Sequence, residues 1–239
     1  AADVDEDALN FATTTLPTTW LSFNASTQVL SGTTLNAHVG SNTVVLTVSD
    51  GTLSVEQSLT ITIVNVNDPP VFTSTEITTA QEDALYSYTA TASDDDGNTL
   101  TYAATTLPTW LSFDGTATIS GTPLNEHVGP HDVVLTVSDG FGVEVPQSFP
   151  ITVANTNDPP VFSSSAITSA TEDTLYSDTI TASDIDENDV LTCAATTLPT
   201  WLTLVNNGDG TASLSGTPLN AHVGGPHDVV LTVSDAFGV

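Results

Sequence analysis

The sequence has no lysine and no arginine among its 239 residues, against 29 Asp and Glu, for a formal net charge of −29. That absence excludes nucleic acid as a partner, because binding requires cations that displace the counterions on phosphates. It excludes attraction to an anionic membrane surface for the same reason. No apolar run approaches the roughly 20 residues of a membrane-spanning helix, so membrane insertion is not expected. A single Cys forbids an intrachain disulfide and leaves stability to packing and to bound metal. Methionine is missing altogether, and the opening Ala-Ala-Asp-Val-Asp-Glu lacks the basic start and apolar stretch of a signal peptide. The chain therefore reads as an interior segment of a longer protein.

What is present must live with that imbalance. The 29 carboxylates repel one another, and only five His could offset them. Cations from solution, multivalent ones best of all, are expected to do the screening in a saline or Ca²⁺-containing exterior. The 39% hydrophobic content is still sufficient for packed cores and argues against wholesale disorder.

Self-comparison gives the organisation. Asn-Asp-Pro-Pro-Val-Phe occurs at 67–72 and 157–162, a spacing of 90 residues. Thr-Thr-Leu-Pro-Thr-Trp-Leu occurs at 105–111 and 196–202, with a variant at 14–21. Ser-Gly-Thr-x-Leu-Asn-x-His-Val-Gly starts at 31, 120 and 215, and Val-Val-Leu-Thr-Val-Ser-Asp at 44, 133 and 229. The order predicts three tandem domains: an N-terminally incomplete repeat 1 (1–68), a complete repeat 2 (69–158) and a C-terminally incomplete repeat 3 (159–239). A window cut from a longer array explains the partial ends. Completion of the open domains by strands of neighbouring chains is the rival explanation.

Within repeat 2 the apolar period is two, as in half-buried strands. Tyr86–Ala92 alternates, as do the rows Val133, Leu135, Val137 and Phe149, Ile151, Val153. Pro150 points away from the last row and predicts an edge strand. Shorter strands are expected at 99–104 and 116–120. The fold class is all-β, with tandem antiparallel β-sandwiches of Greek-key connection in an extended array. Repeat 3 inserts Asn206–Thr211, which lengthens a hairpin. The linkers Asn65–Pro70 and Asn155–Pro160 end in Pro pairs that restrict the chain to extended conformations, so the array is expected to be a stiff rod.

The acidic residues fall in register. Asp3 and Asp5, Asp94 to Asp96, and Asp184 and Asp186 occupy the same loop of each repeat, while Asp50, Asp139 and Asp235 each end the Val-Ser-Asp strand. Glu82 and Glu172 follow the first strand, and Asp68 and Asp158 lie in the linkers. Like charges gathered in one loop are costly unless a cation sits among them, and Ca²⁺ takes six to eight oxygens of this kind. The plainer alternative is that these residues form turns on an acidic surface.

The Asn-x-Asn-Asp-Pro linkers, the early Glu, the Asp-x-Asp loops and the Ser-Asp-Gly strand ends resemble the calcium motifs of cadherins. The Leu-Pro-x-Trp-Leu-x-Phe and Ser-Gly-Thr-Pro segments are similar to the dystroglycan-type cadherin-like and Ig-like repeats of large bacterial surface and secreted proteins. The resemblance implies Ca²⁺ at the domain junctions. Between repeats 2 and 3 it implies the ligands Glu82, Asn157, Asp158, Asp184, Asp186 and Asp235. Between repeats 1 and 2 it implies Asn67, Asp68, Asp94, Asp96 and Asp139. Asn65 and Asn155 stand where cadherins have Asp, and Asn125-Glu-His127 replaces their Asp-Arg-Glu, so one or two ions per junction are expected.

Other candidates carry less. Asp3-x-Asp-x-Asp7 lacks the Gly and Glu of an EF-hand loop, at Ala8 and Thr14. His38, His127 and His222 recur with no recurring third ligand, and hydrogen bonding in a loop or at a strand edge is expected of them. Trp20, Trp110 and Trp201, flanked by apolar residues, read as core rather than sugar platforms. Cys193 reads as a buried thiol. No recurring nucleophile, base or oxyanion donor supports catalysis, and no enzyme is expected. The expected function is a spacer or shaft of an adhesin-like, secreted or surface-anchored prokaryotic protein, with junctions rigidified by Ca²⁺. The alternatives are a subunit of a self-assembling extracellular filament, partnered by identical chains, and a module that binds polysaccharide or its own copies.

Overall fold

The structure is a computed structural model that describes residues 7–187 and 189–237. Asp3 and Asp5 lie outside the described residues. The β-branched, alternating segments form strands, and turn residues separate them. Repeat 1 contains β1 (Asn10–Thr15), β2 (Leu21–Asn24), β3 (Val29–Gly32), β4 (Gly40–Ser49) and β5 (Ser54–Ile63). Repeat 2 contains β6 (Val71–Phe72), β7 (Thr79–Gln81), β8 (Tyr86–Thr89), β9 (Ala92–Ser93) and β10 (Thr101–Thr106). It continues through β11 (Ser112–Phe113), β12 (Thr118–Gly121), β13 (Gly129–Ser138) and β14 (Glu144–Ala154). Repeat 3 contains β15 (Val161–Phe162), β16 (Tyr176–Ser183), β17 (Thr192–Thr197), β18 (Thr203–Asn206), β19 (Thr211–Gly216) and β20 (Val230–Ser234).

Repeats 1 and 3 each use two sheets, and repeat 2 adds a short antiparallel β6-β9 pair to its two larger ones. Repeat 1 orders its strands β1-β4-β5 with a β2-β3 hairpin, and repeat 2 orders them β10-β13-β14-β7 with β11-β12-β8. Repeat 3 has β15-β16-β19-β18 and the pair β17-β20. The row Val133, Leu135, Val137 is at most 1% exposed, and Ile151 and Val153 are equally enclosed, so the period-two reading located the core. The turn of the β18–β19 hairpin falls within the insert at 206–211.

Two expectations need correction. The first is that every pairing is antiparallel: β14 pairs with β7 in parallel, Thr152 opposite Thr79, so β14 is an edge strand only before that stretch. Pro150 lies two residues ahead of the covered stretch, where no β7 partner needs its missing N–H. The second is that Tyr86–Ala92 is one strand. It breaks at 90–91 because the main chain of Thr91 turns to other partners: its N donates to Ser74 Oγ at 2.9 Å, and its carbonyl accepts from Thr73 N at 2.8 Å.

A close approach explains the Ser-Gly-Thr motif. A Cβ on Gly32, Gly121 or Gly216 would lie 1.8, 1.9 or 1.8 Å from the carbonyl oxygen of Trp20, Trp110 or Trp201. Only glycine lets the two backbones meet there. The described chain forms two compact units: Ala1–Thr75 with Ala90–Ala103 and Leu135–Gln147, and Glu76–Thr89 with Ala104–Val134 and Ser148–Val239. In the first unit Phe72 packs on Tyr102 at 6.4 Å. In the second, Tyr88 meets Phe149 edge-on at 5.5 Å, and Ile180, Cys193, Leu202, Ala212 and Leu214 form a core cluster. Each unit contains one linker and the acidic groups around it.

Candidate metal centres at the two linkers

In the first unit, the linker at 65–70 is caught between a strand end and an acidic loop. Asn67 Nδ2 donates to Asp139 Oδ2 at 2.7 Å, just beyond β13. The main-chain N of Asp68 donates to Asp96 Oδ2 at 2.7 Å, and Asn36 Nδ2 donates to Asp68 Oδ2 at 2.7 Å. Asp94 Oδ1 folds the loop by accepting from the N–H groups of Asp96 and Asn98, at 2.9 and 3.1 Å. Asn98 Nδ2 closes the ring by donating to Asn67 Oδ1 at 3.1 Å. The Asn67 amide, and then the N–H of Phe141, hold the Asp139 carboxyl below the ordinary carboxylate range. Asp94 Oδ2 is enclosed without a hydrogen-bond partner.

The second unit repeats the plan around the linker at 155–160. Asn157 Nδ2 donates to Asp235 Oδ2 at 2.7 Å, and Asp158 N donates to Asp186 Oδ2 at 2.7 Å. Asp184 Oδ1 accepts from Asp186 N at 3.0 Å, and Asn125 Nδ2 donates to Asp186 Oδ1 at 2.9 Å. Glu82, only 2% exposed, accepts from the N–H of Thr156 at 3.0 Å through Oε2. Three oxygens are enclosed without partners: Asn157 Oδ1, Asp184 Oδ2 and Asp189 Oδ2. Asp184, Asp186 and Asp189 each place a carboxylate oxygen within 4.8 Å of the others. Burial, and then the charges of Asp184, Asp186 and Asp235, push the Asp189 carboxyl up.

Enclosed oxygens without donors favour a cation, and an all-oxygen set of carboxylates and one amide is the donor chemistry of a hard ion such as Ca²⁺. The residues of the second unit therefore fit that ion. Asn157, Asp158, Asp184, Asp186, Asp189 and Asp235 are the groups that would hold it, with Glu82 beside the linker. The first unit brings together Asn67, Asp68, Asp94, Asp96 and Asp139 but leaves a single enclosed oxygen free. Asp50 stands apart from these groups. Its Oδ1 accepts from the N–H groups of Thr52 and Leu53, both at 2.7 Å, in the β4–β5 turn, and those bonds lower its pKa.

Sequence reasoning passed over Asn36, Asn98 and Asp189, and named Asn125 only within the stretch that replaces the cadherin Asp-Arg-Glu. Asn36 and Asn125 belong to the repeated Leu-Asn-x-His motif, where attention fell on the His. Those rings are structural: Nδ1 of His38, His127 and His222 accepts the N–H of Leu35, Leu124 and Leu219, each at 2.9 Å. Trp110 is buried edge-on against Tyr86 at 5.8 Å, and half-buried Trp201 meets Tyr176 at 5.9 Å, which is core packing.

The family model described as "Putative Ig domain" matches residues 1–64, 69–154 and 159–239. The chain belongs to this Ig-domain family. Three Ig-like domains in tandem match the all-β sheets described above. Among solved structures, the extracellular cadherin domains 1–5 of protocadherin gamma B2 are similar over 97% of this chain and 48% of that one, at 17% identity and a TM-score of 0.60. Human CDH23 EC21-23 is similar over 93% of this chain and 88% of that one, at 18% identity and a TM-score of 0.59. At these identities the likeness is one of fold. The endo-fucoidan hydrolase MfFcnA4 of glycoside hydrolase family 107 aligns at 25% identity with a TM-score of 0.35, covering 94% of this chain. This Ig-domain chain spans 38% of that hydrolase's length and about half of the protocadherin's. No curated protein matches it. Among the described residues, no helix is long and apolar enough to cross a membrane.

Proposed function

We propose that this chain is a spacer segment of an extracellular, adhesin-like repeat protein whose domain junctions are rigidified by Ca²⁺. The observation that carries the reading is the set of three enclosed, unpartnered oxygens on Asn157, Asp184 and Asp189, drawn from the linker and the following loop. An ion there ties the linker to the domain after it and offsets carboxylates that have no Lys or Arg to answer them. Removing the ion leaves like charges in contact, and the linker loosens. Affinities typical of extracellular modules, about 10⁻⁴ to 10⁻³ M, would make the junctions responsive to ambient calcium. The test is limited proteolysis with an enzyme that cleaves before Asp. Ca²⁺, but not Mg²⁺ at equal ionic strength, should slow cutting at Asp68 and Asp158, and equal protection by both ions would contradict the reading.

A further inference from the structure

The two linkers differ at one side chain that changes what each can hold. Counting back from Leu100-Thr101 and Leu191-Thr192, at the start of β10 and β17, Asn98 and Asp189 occupy the same place. Asn98 is a donor there, and its amide satisfies the side-chain oxygen of the linker Asn67 at 3.1 Å. Ionised Asp189 has no proton to give. The equivalent linker oxygen, Asn157 Oδ1, is accordingly enclosed and unpartnered, and so is Asp189 Oδ2. One exchange thus removes a donor, adds a charge and frees a neutral oxygen, all at the same point. At the first linker a cation would have to displace the Asn98 amide before it could reach Asn67 Oδ1. At the second linker that oxygen has no hydrogen-bond partner to displace.

We infer that the two junctions are unequal cation sites, and that Asp189 makes the linker at 155–160 load a divalent cation at lower concentration than the linker at 65–70. The inference rests on the calcium reading above. It implies that the junctions stiffen one after the other as calcium rises, so the response is graded. Glu82 also belongs to the second junction and has no counterpart among the described residues of the first unit, so exchanges at 98 and 189 are needed to isolate the effect.

The experiment is calorimetric titration of the full chain with CaCl₂, on the parent, Asp189→Asn and Asn98→Asp. The parent should show two classes of binding. Asp189→Asn should weaken the tighter class by at least about fivefold, the factor that one unit charge near 4 Å contributes even with the full screening of water. Asn98→Asp should tighten the weaker class, which keeps the inference testable if the first variant folds poorly. Isotherms for both variants that superimpose on the parent's would overturn the inference while leaving calcium binding intact. Absence of calcium binding in all three chains would overturn the calcium reading and this inference with it.

Discussion

Asn157 donates its side-chain amide to Asp235 at 2.7 Å across 78 residues of sequence, and Asn67 makes the same 2.7 Å bond to Asp139 across 72. Each bond fixes a linker to the end of the Val-Ser-Asp strand, β13 or β20, in the domain that follows. Between them lie the acidic loops at 94–96 and 184–186, each caught by the main-chain N–H of the linker Asp. The linkers are therefore held by side chains of the next domain as well as by their Pro pairs.

The Asn67–Asp139 bond should be visible in acid. Its donor lowers the Asp139 pKa from the ordinary 3.8, so Asp139 contributes stability that is present in full above 3.8. That contribution is lost as pH falls through the depressed folded value. In calcium-free buffer, Asn67→Ala should raise the Asp139 midpoint followed by carboxyl NMR towards 3.8. An unmoved midpoint would mean that the bond does not set it.

Gly121 should not tolerate a side chain. A Cβ there would sit 1.9 Å from Trp110 O, a backbone atom that cannot swing away. Gly121→Ala is expected to destabilise the chain by about 1–3 kcal/mol in urea unfolding, as overpacking does.

Cys193 should report on unfolding of repeat 3. It is 4% exposed within a core of Ile180, Leu202, Ala212 and Leu214, and burial pushes its thiol pKa up. A thiol reagent at neutral pH should label it slowly in the native chain and readily in denaturant. Fast native labelling would contradict the packing described here.

Much of the fold was legible because period two is a local signal that repeats: the rows at 133–137 and 149–153 announce their inward faces. The parallel β7–β14 pair was not legible, since strand direction depends on contacts about 73 residues apart. The recurrence of the carboxylates in one loop and at one strand end was legible from register, and their gathering around the linkers from the resemblance to cadherin calcium motifs. Asp189 was not, because its meaning comes from replacing Asn98 in a loop of different length and from what that removes from Asn157. The turn role of Asp50 was hidden for a related reason: the same Ser-Asp strand end serves a hairpin when no linker Asn reaches it.

The central claim is that cations of one kind hold the junctions, and the most direct test is a thermal melt of the full chain in EDTA and across a Ca²⁺ titration, with Mg²⁺ at matched ionic strength as the control. The account predicts a rise in Tm that is specific to Ca²⁺ and is lost when Asp184 and Asp186 are replaced by Asn. An equal rise with Mg²⁺, or a Ca²⁺ effect that survives those replacements, would mean that the ions only screen an acidic surface and that the linkers hold no site.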